Sequence, residues 1–211
     1  MFHREASNSR AGTAGLPKKG APILPPRPAP PPGEALYPWV LGAGYGTLPG
    51  ILRRMHMVNP RVEASGTGTV SHGTNWAARM LARALGFPAE GVDRPLAVSF
   101  LQGAGSETIS RSYSDATLVT RQSAAGPAGS GRLAEHFGPF RLVILLDSSY
   151  RGLEFNLLEV RLWGRLLPAW LRPRLLAREF VQADWYRFEV EIGVPLLGRL
   201  IRYEGRLRQR L

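Results

Sequence analysis

Hydrophobic and polar residues alternate with a period of two over much of this chain. Val62, Ala64, Gly66, Gly68 and Val70 share one face, and Glu63, Ser65, Thr67 and Thr69 take the other. The runs Leu96-Val98-Phe100, Leu153-Phe155-Leu157, Tyr186-Phe188-Val190-Ile192 and Ile201-Tyr203-Gly205-Leu207 repeat the rhythm. Opposite the last run stand Arg202, Glu204, Arg206 and Arg208, a fully charged face. Successive side chains of a strand point to opposite sides, so the pattern predicts antiparallel strands with one dry face and one wet face. Turn signals at Gly103-Ala104-Gly105, Gly126-Pro127, Gly138-Pro139, Tyr150-Arg151-Gly152 and Gly193-Val194-Pro195 separate them. About nine or ten strands result, more than an open twisted sheet carries without curling. The expected fold is α+β and mainly antiparallel β, a strongly curved sheet or partly closed β-barrel with two or three N-terminal helices packed on it.

Helical spacing is confined to the N-terminal part. Leu36–Leu41 is one short candidate, and Leu48–His56 is another, with Pro49 in its first turn and Ile51, Leu52 and Met55 on one side. A third helix is capped by Thr74 or Asn75 and stopped by Gly86 and Pro88. Its expected apolar stripe is Trp76, Met80, Leu81, Ala84 and Leu85, with Arg79 and Arg83 facing away. Ahead of these helices, residues 1–34 read as a Pro-rich tail, because Ala21–Gly33 favours extended polyproline II without a core. Residues 35–211 then form a single antiparallel β-rich domain.

The chain has 211 residues and no cysteine, which removes disulfide scaffolds, thiolate metal sites and cysteine nucleophiles together. It carries 27 basic against 16 acidic residues, a formal charge of +11, and all but Lys18 and Lys19 of the basic residues are arginine. The arginines are spread along the chain and alternate with apolar residues or acids, which favours a solvated surface over a nucleic-acid face. No secretory leader and no apolar run of membrane-spanning length is visible, so the cytoplasm is the expected compartment. The stretch Arg161–Phe180, rich in Trp, Leu and Arg, could lie on an anionic membrane surface. Gly164, Pro168 and Pro173 break any continuous helix there, and a long connection folded over one end of the sheet is the preferred reading.

Familiar catalytic signatures are missing. Gly42-Ala43-Gly44-Tyr45-Gly46 lacks the preceding strand and following long helix of a dinucleotide site and reads as an interhelical loop. His3, His56, His72 and His136 do not pair at a metal-binding interval and are expected at surface or capping positions. No G-x-S-x-G elbow is present. Neither a metal nor a cofactor is expected.

Parity exposes one anomaly. Glu107 and Arg111 share the inward face of their run with Ile109 and Tyr113, Glu135 lies between Leu133 and Phe137, and Glu179 lies between Ala177 and Val181. An isolated charge on a dry face costs several kcal/mol, so these groups must pair or meet water. Converging faces would let Glu135 or Glu179 hold Arg111, with Glu107 near the rim. The bland account is a structural ion pair. The sharper one is a pocket in which Arg111, Glu135, Glu179, Glu107, Tyr113 and Tyr203 orient a ligand packed on Phe155, Phe188 and Tyr203.

At these same residues the chain resembles the bacterial domain of unknown function 4166 family, from about Leu36 to Leu207. The matching pieces are Leu48-Pro49 with His56, the Val70–Gly73 strand end, Glu107-x-Ile109-x-Arg111-x-Tyr113, and Glu135-His136-Phe137-Gly138-Pro139. They continue through Gly152-Leu153, Pro168 with Leu171 and Pro173, Glu179, Phe188-x-Val190, Pro195-Leu196-x-Gly198 and Tyr203-x-Gly205-x-Leu207. Where the family has E-x-W-x-R-x-F, this chain has Ile109 and Tyr113, and Trp185 replaces a glycine before the F-x-V strand. The resemblance implies frequent fusion behind a saccharopine-dehydrogenase-like domain and no assigned reaction. Three functions follow for comparison: a non-enzymatic module binding a small apolar or anionic, lipid-like ligand; an auxiliary domain docking onto such an oxidoreductase; and an enzyme using Glu135 or Glu179 as acid or base.

Overall fold

The computed structural model describes residues 28–210. Eleven strands form one antiparallel sheet: β1 (Arg61–His72), β2 (Gly91–Gly103), β3 (Ser106–Ser112), β4 (Thr117–Ala124), β5 (Arg132–Phe137), β6 (Phe140–Ser149), β7 (Gly152–Leu162), β8 (Arg165–Leu166), β9 (Arg174–Gln182), β10 (Trp185–Val194) and β11 (Gly198–Gln209). Each pairs with its sequence neighbour through β7, β9 then joins β7, and β11 returns to β1. The result is a closed barrel of ten strands, with β8 pairing only to the end of β7. Pairing shifts by one residue at Val143/Ile144 and Ile192/Gly193, and again at Gly68/Val70. Bulges of this kind bend and twist strands, which closure requires. Ten strands enclose more space than the eight whose side chains just fill a barrel.

Alternation decides what lies inside. Val62, Ala64 and Val70 of β1, Leu96, Val98 and Phe100 of β2, and Ile201 and Leu207 of β11 are all buried. Their neighbours Arg202, Arg206 and Arg208 are exposed, so the barrel is apolar within and charged without, the reverse of an outer-membrane barrel. No described helix is long and apolar enough to cross a membrane.

Three helices accompany the barrel: α1 (Leu36–Leu41), α2 (Gly50–Met55) and α3 (Trp76–Ala84). The glycine-rich stretch Gly42–Thr47 between the first two is a short 3-10 helix. These N-terminal elements close the barrel end where β1 begins. Leu36, Tyr37, Val40, Leu52, Met55 and Val58 are at most 1% exposed there. The Leu36 N–H donates to Glu107 Oε1 at 2.9 Å and the Tyr37 hydroxyl to Gln122 Oε1 at 3.0 Å, pinning α1 to β3 and β4. Of the expected tail, residues 1–27 lie outside the described residues. Its last part is tied down: Asn59 Nδ2 donates to the Gly33 carbonyl and Gln102 Nε2 to that of Glu34.

At the opposite end lies α3, capped by Asn75, one of the two expected candidates, which accepts the Ala77 N–H at 2.9 Å. Its buried stripe differs from the expected one. Ala78 and Ala82 are completely buried, Leu81 and Leu85 partly, whereas Trp76 and Met80 are 78% and 56% exposed. The backbone explains the rotation. The helix follows Gly73, whose missing Cβ would stand 1.7 Å from the Arg199 carbonyl oxygen, and an alanine face fits so close an approach. The connection after β7 is also shorter than expected. Arg161 and Leu162 still belong to β7 and Arg174 already to β9, leaving residues 163–173 to fold over the barrel end.

Candidate active cavity

The barrel encloses a cavity of about 250 Å³, several times the ~30 Å³ share of a water molecule. Most of its wall is apolar, from Val98, Phe100, Phe155, Phe188 and Leu207 near the plugged end to Phe137, Phe140, Leu167 and Leu171 at the other. Leu171 is 39% exposed and also lines the cavity, so the cavity reaches the surface beside α3 and residues 163–173. A polar belt interrupts this wall at Arg111, Thr120, Gln122, Glu135, Glu179, Tyr186 and Tyr203.

Four of the six residues singled out by parity therefore face one enclosed space: Arg111, Glu135, Glu179 and Tyr203. Phe155 and Phe188 join them. Glu107 does not stand near a rim. It is fully buried at the plugged end, where one oxygen receives Leu36 and the other has no partner. Tyr113 lies outside the cavity wall, packed on Gly68 with the Arg94 guanidinium 5.4 Å from its ring centre.

The expected pairing of Arg111 with a carboxylate is replaced by a different arrangement. Its Nη1 donates to Thr120 Oγ1 at 3.2 Å, and among the described residues no carboxylate lies within 4.0 Å of it. Burial opposes its charge, but Tyr203, Glu135, Tyr186 and Glu179 around it outweigh that and raise its pKa, so it remains a guanidinium. Glu179 instead pairs with His56, whose Nε2 lies 2.6 Å from Glu179 Oε2. His56 is wholly buried, not at the surface, stacked on Tyr37 with ring centres 3.8 Å apart and edge-on to Phe100 and Tyr186. With Nε2 engaged, Nδ1 is left buried without a partner. His72 is likewise buried, its Nε2 2.9 Å from the Pro88 carbonyl oxygen.

The tyrosines of this region are held protonated. Burial, then the charge of Glu179, pushes Tyr186 well above its ordinary value, and burial with Glu179, Glu107 and Glu135 does the same to Tyr37. Burial raises Tyr203 as well, against the pull of Arg111, and raises Tyr113 to about 12. The belt thus offers one fixed cation, two carboxylates and neutral phenols that donate or accept hydrogen bonds. Such a set can bind an anion at Arg111 and a hydrogen-bond donor at Glu135. Among the described residues no cluster of three potential metal ligands occurs.

Sequence reasoning missed Thr120, Gln122, Tyr186, Tyr37 and His56. The first two carry a legible signal, since Leu118, Thr120, Gln122 and Ala124 alternate inward along β4. From the strand rhythm Tyr186 is simply one inward position of β10. Tyr37 and His56 belong to the plug, where a strand rhythm says nothing about what a side chain meets.

The family pattern described as Domain of unknown function (DUF4166) matches residues 48–207. The chain belongs to this family. No curated protein and no solved structure matches it. The match covers all eleven strands except the last two residues of β11, and with them the whole polar belt.

Proposed function

We propose that this DUF4166 domain is a binding module for a small amphipathic acid. The apolar body of the ligand packs on Phe155, Phe188 and the aliphatic wall, and its anionic head meets Arg111. The observation that carries this reading is the Arg111 guanidinium, which faces a largely apolar cavity and, among the described residues, is hydrogen-bonded to the Thr120 hydroxyl with no carboxylate within 4.0 Å. The guanidinium, kept charged with Glu135 and Glu179 nearby, has N–H groups left to give charge-assisted hydrogen bonds to an anionic head. Closure of the barrel supports the same reading, because a preformed cavity spends little binding energy on ordering.

Thermal unfolding with decanoate, and with decanol as the uncharged analogue, tests it. At a hundredfold excess over the dissociation constant a native-state ligand adds ~2.7 kcal/mol, on the order of 5–10 °C for a domain of this size. Decanoate or an acidic lipid extract is expected to raise the midpoint more than decanol, and Arg111→Met to erase the difference. No shift from any acid or extract, or an unchanged preference in Arg111→Met, overturns the proposal.

A further inference from the structure

Antiparallel closure gathers five connections at the cavity mouth: β1–β2 with α3, β3–β4, β5–β6, β7–β9 and β10–β11. Three neighbouring ones, β1–β2 with α3, β10–β11 and β7–β9, carry a cluster of exposed aromatic and aliphatic side chains. Among the described residues the three exposed tryptophans all stand here, Trp76 at 78%, Trp163 at 79% and Trp170 at 68%. Met80, Leu166 and Leu196 join them, the last 93% exposed. Among the described residues the loops of the plugged end expose only Met57 and Tyr150 of the large apolar side chains. Scattered exposed apolar residues are ordinary, but their concentration on three neighbouring connections along one side of the mouth of an apolar cavity marks an interaction surface.

The charge interleaved with these side chains has one dominant sign. Arg79, Arg83, Arg165, Arg174 and Arg199 are exposed at the same end, and none has a carboxylate within 4.0 Å among the described residues. The acids nearby are largely engaged. Asp115 binds Arg94 and the Ala89 N–H, Glu159 binds Arg161, and Glu90 accepts the His72 N–H.

We propose that the mouth end of the barrel is a docking face for an anionic lipid bilayer. Tryptophan rings and Leu196 sit at the boundary of headgroups and acyl chains, and the arginines reach lipid phosphates. Exposed tryptophans side by side with arginines that lack a carboxylate partner match the boundary where anionic headgroups meet acyl chains, which favours a bilayer as the occupant. Leu171 belongs to both rim and cavity wall, so in the docked state the cavity opens onto the lipid rather than onto water. This goes beyond the ligand reading and does not require it.

Co-sedimentation of the full chain with vesicles decides the matter. Phosphatidylcholine vesicles containing phosphatidylglycerol are expected to bind the protein, pure phosphatidylcholine to bind it weakly, and raised salt to weaken the anionic case. Trp163→Ala with Trp170→Ala should lower partitioning about tenfold or more, and each of Arg79→Glu and Arg165→Glu at least about fivefold. Tyr150→Ala, at the plugged end, should leave it unchanged. All these side chains are exposed, and an unaltered melting midpoint confirms that each variant is folded. Quenching of wild-type tryptophan fluorescence by brominated lipids gives a readout that needs no variant. Absence of binding to anionic vesicles overturns the proposal, as does a rim-dependent self-association without lipid. Rim variants that bind like wild type also overturn it, because the overall basic charge then holds the vesicle. Arg111→Met is expected to bind vesicles normally, so failure of the ligand reading and failure of this one are separately visible.

Discussion

At Glu107 a carboxylate without exposed surface receives one backbone N–H and nothing at its second oxygen. Burial raises its pKa above the ordinary 4.5, and the Leu36 N–H and His56 only partly oppose that. A carboxyl whose folded pKa lies above its unfolded value favours folding most at acid pH, and loses that contribution as pH rises through the folded value. Glu107→Gln keeps an acceptor for Leu36 and removes the ionisation. The variant is therefore expected to gain stability relative to wild type between about pH 4.5 and neutrality. Denaturant melts at the two ends of that range check it, and a gap that narrows as pH rises contradicts it. The same residues show what is legible locally. The inward parity of Glu107, Ile109 and Arg111 follows from alternation alone, as does the presence of Glu135 and Glu179 on apolar faces. Which of them touch is not local. His56 reaches Glu179 across 123 positions of chain, and the signal for that pair exists only once the plug is in place.

The seam between β1 and β11 shows the same division among elements. Gly68 lies opposite Gly205, and a Cβ on Gly205 would approach Phe188 Cζ and the Thr67 carbonyl oxygen to 2.6 Å each. The small residue makes room for an aromatic ring of the next strand where the barrel turns. Gly205→Ala is expected to destabilise by about 1–3 kcal/mol through overpacking, read as a lower urea midpoint with an unchanged slope. A neutral result would mean that Phe188 has free space to move into. From the sequence this glycine is simply one inward position of a strand. Likewise, helical spacing locates α3 and narrows its cap to Thr74 or Asn75, but does not give the face it buries. Spacing alone favours Trp76 and Met80 as the buried stripe. Close backbone approach at Gly73 reverses that and leaves both side chains for the rim.

In the whole molecule, closure should govern local stability. Every barrel strand is paired on both sides, whereas β8 has one partner and residues 163–173 otherwise run as a turn and a short 3-10 helix. Opening free energies track buried contacts and paired backbone. Hydrogen exchange is expected to be slowest in the β10–β11–β1 region and fast in residues 163–173. Uniform exchange across both would contradict closure as the source of stability. The period of the chain was enough to specify strands, their inward faces, and a curved or closed sheet, because strand parity is a local property and apolar faces must be covered. It did not specify the plug, the pairing of Glu179 with His56 in place of Arg111, or the collection of three distant tryptophans at one end. Those depend on which strands meet when the sheet closes, and contacts between segments far apart in sequence leave no periodic trace along it.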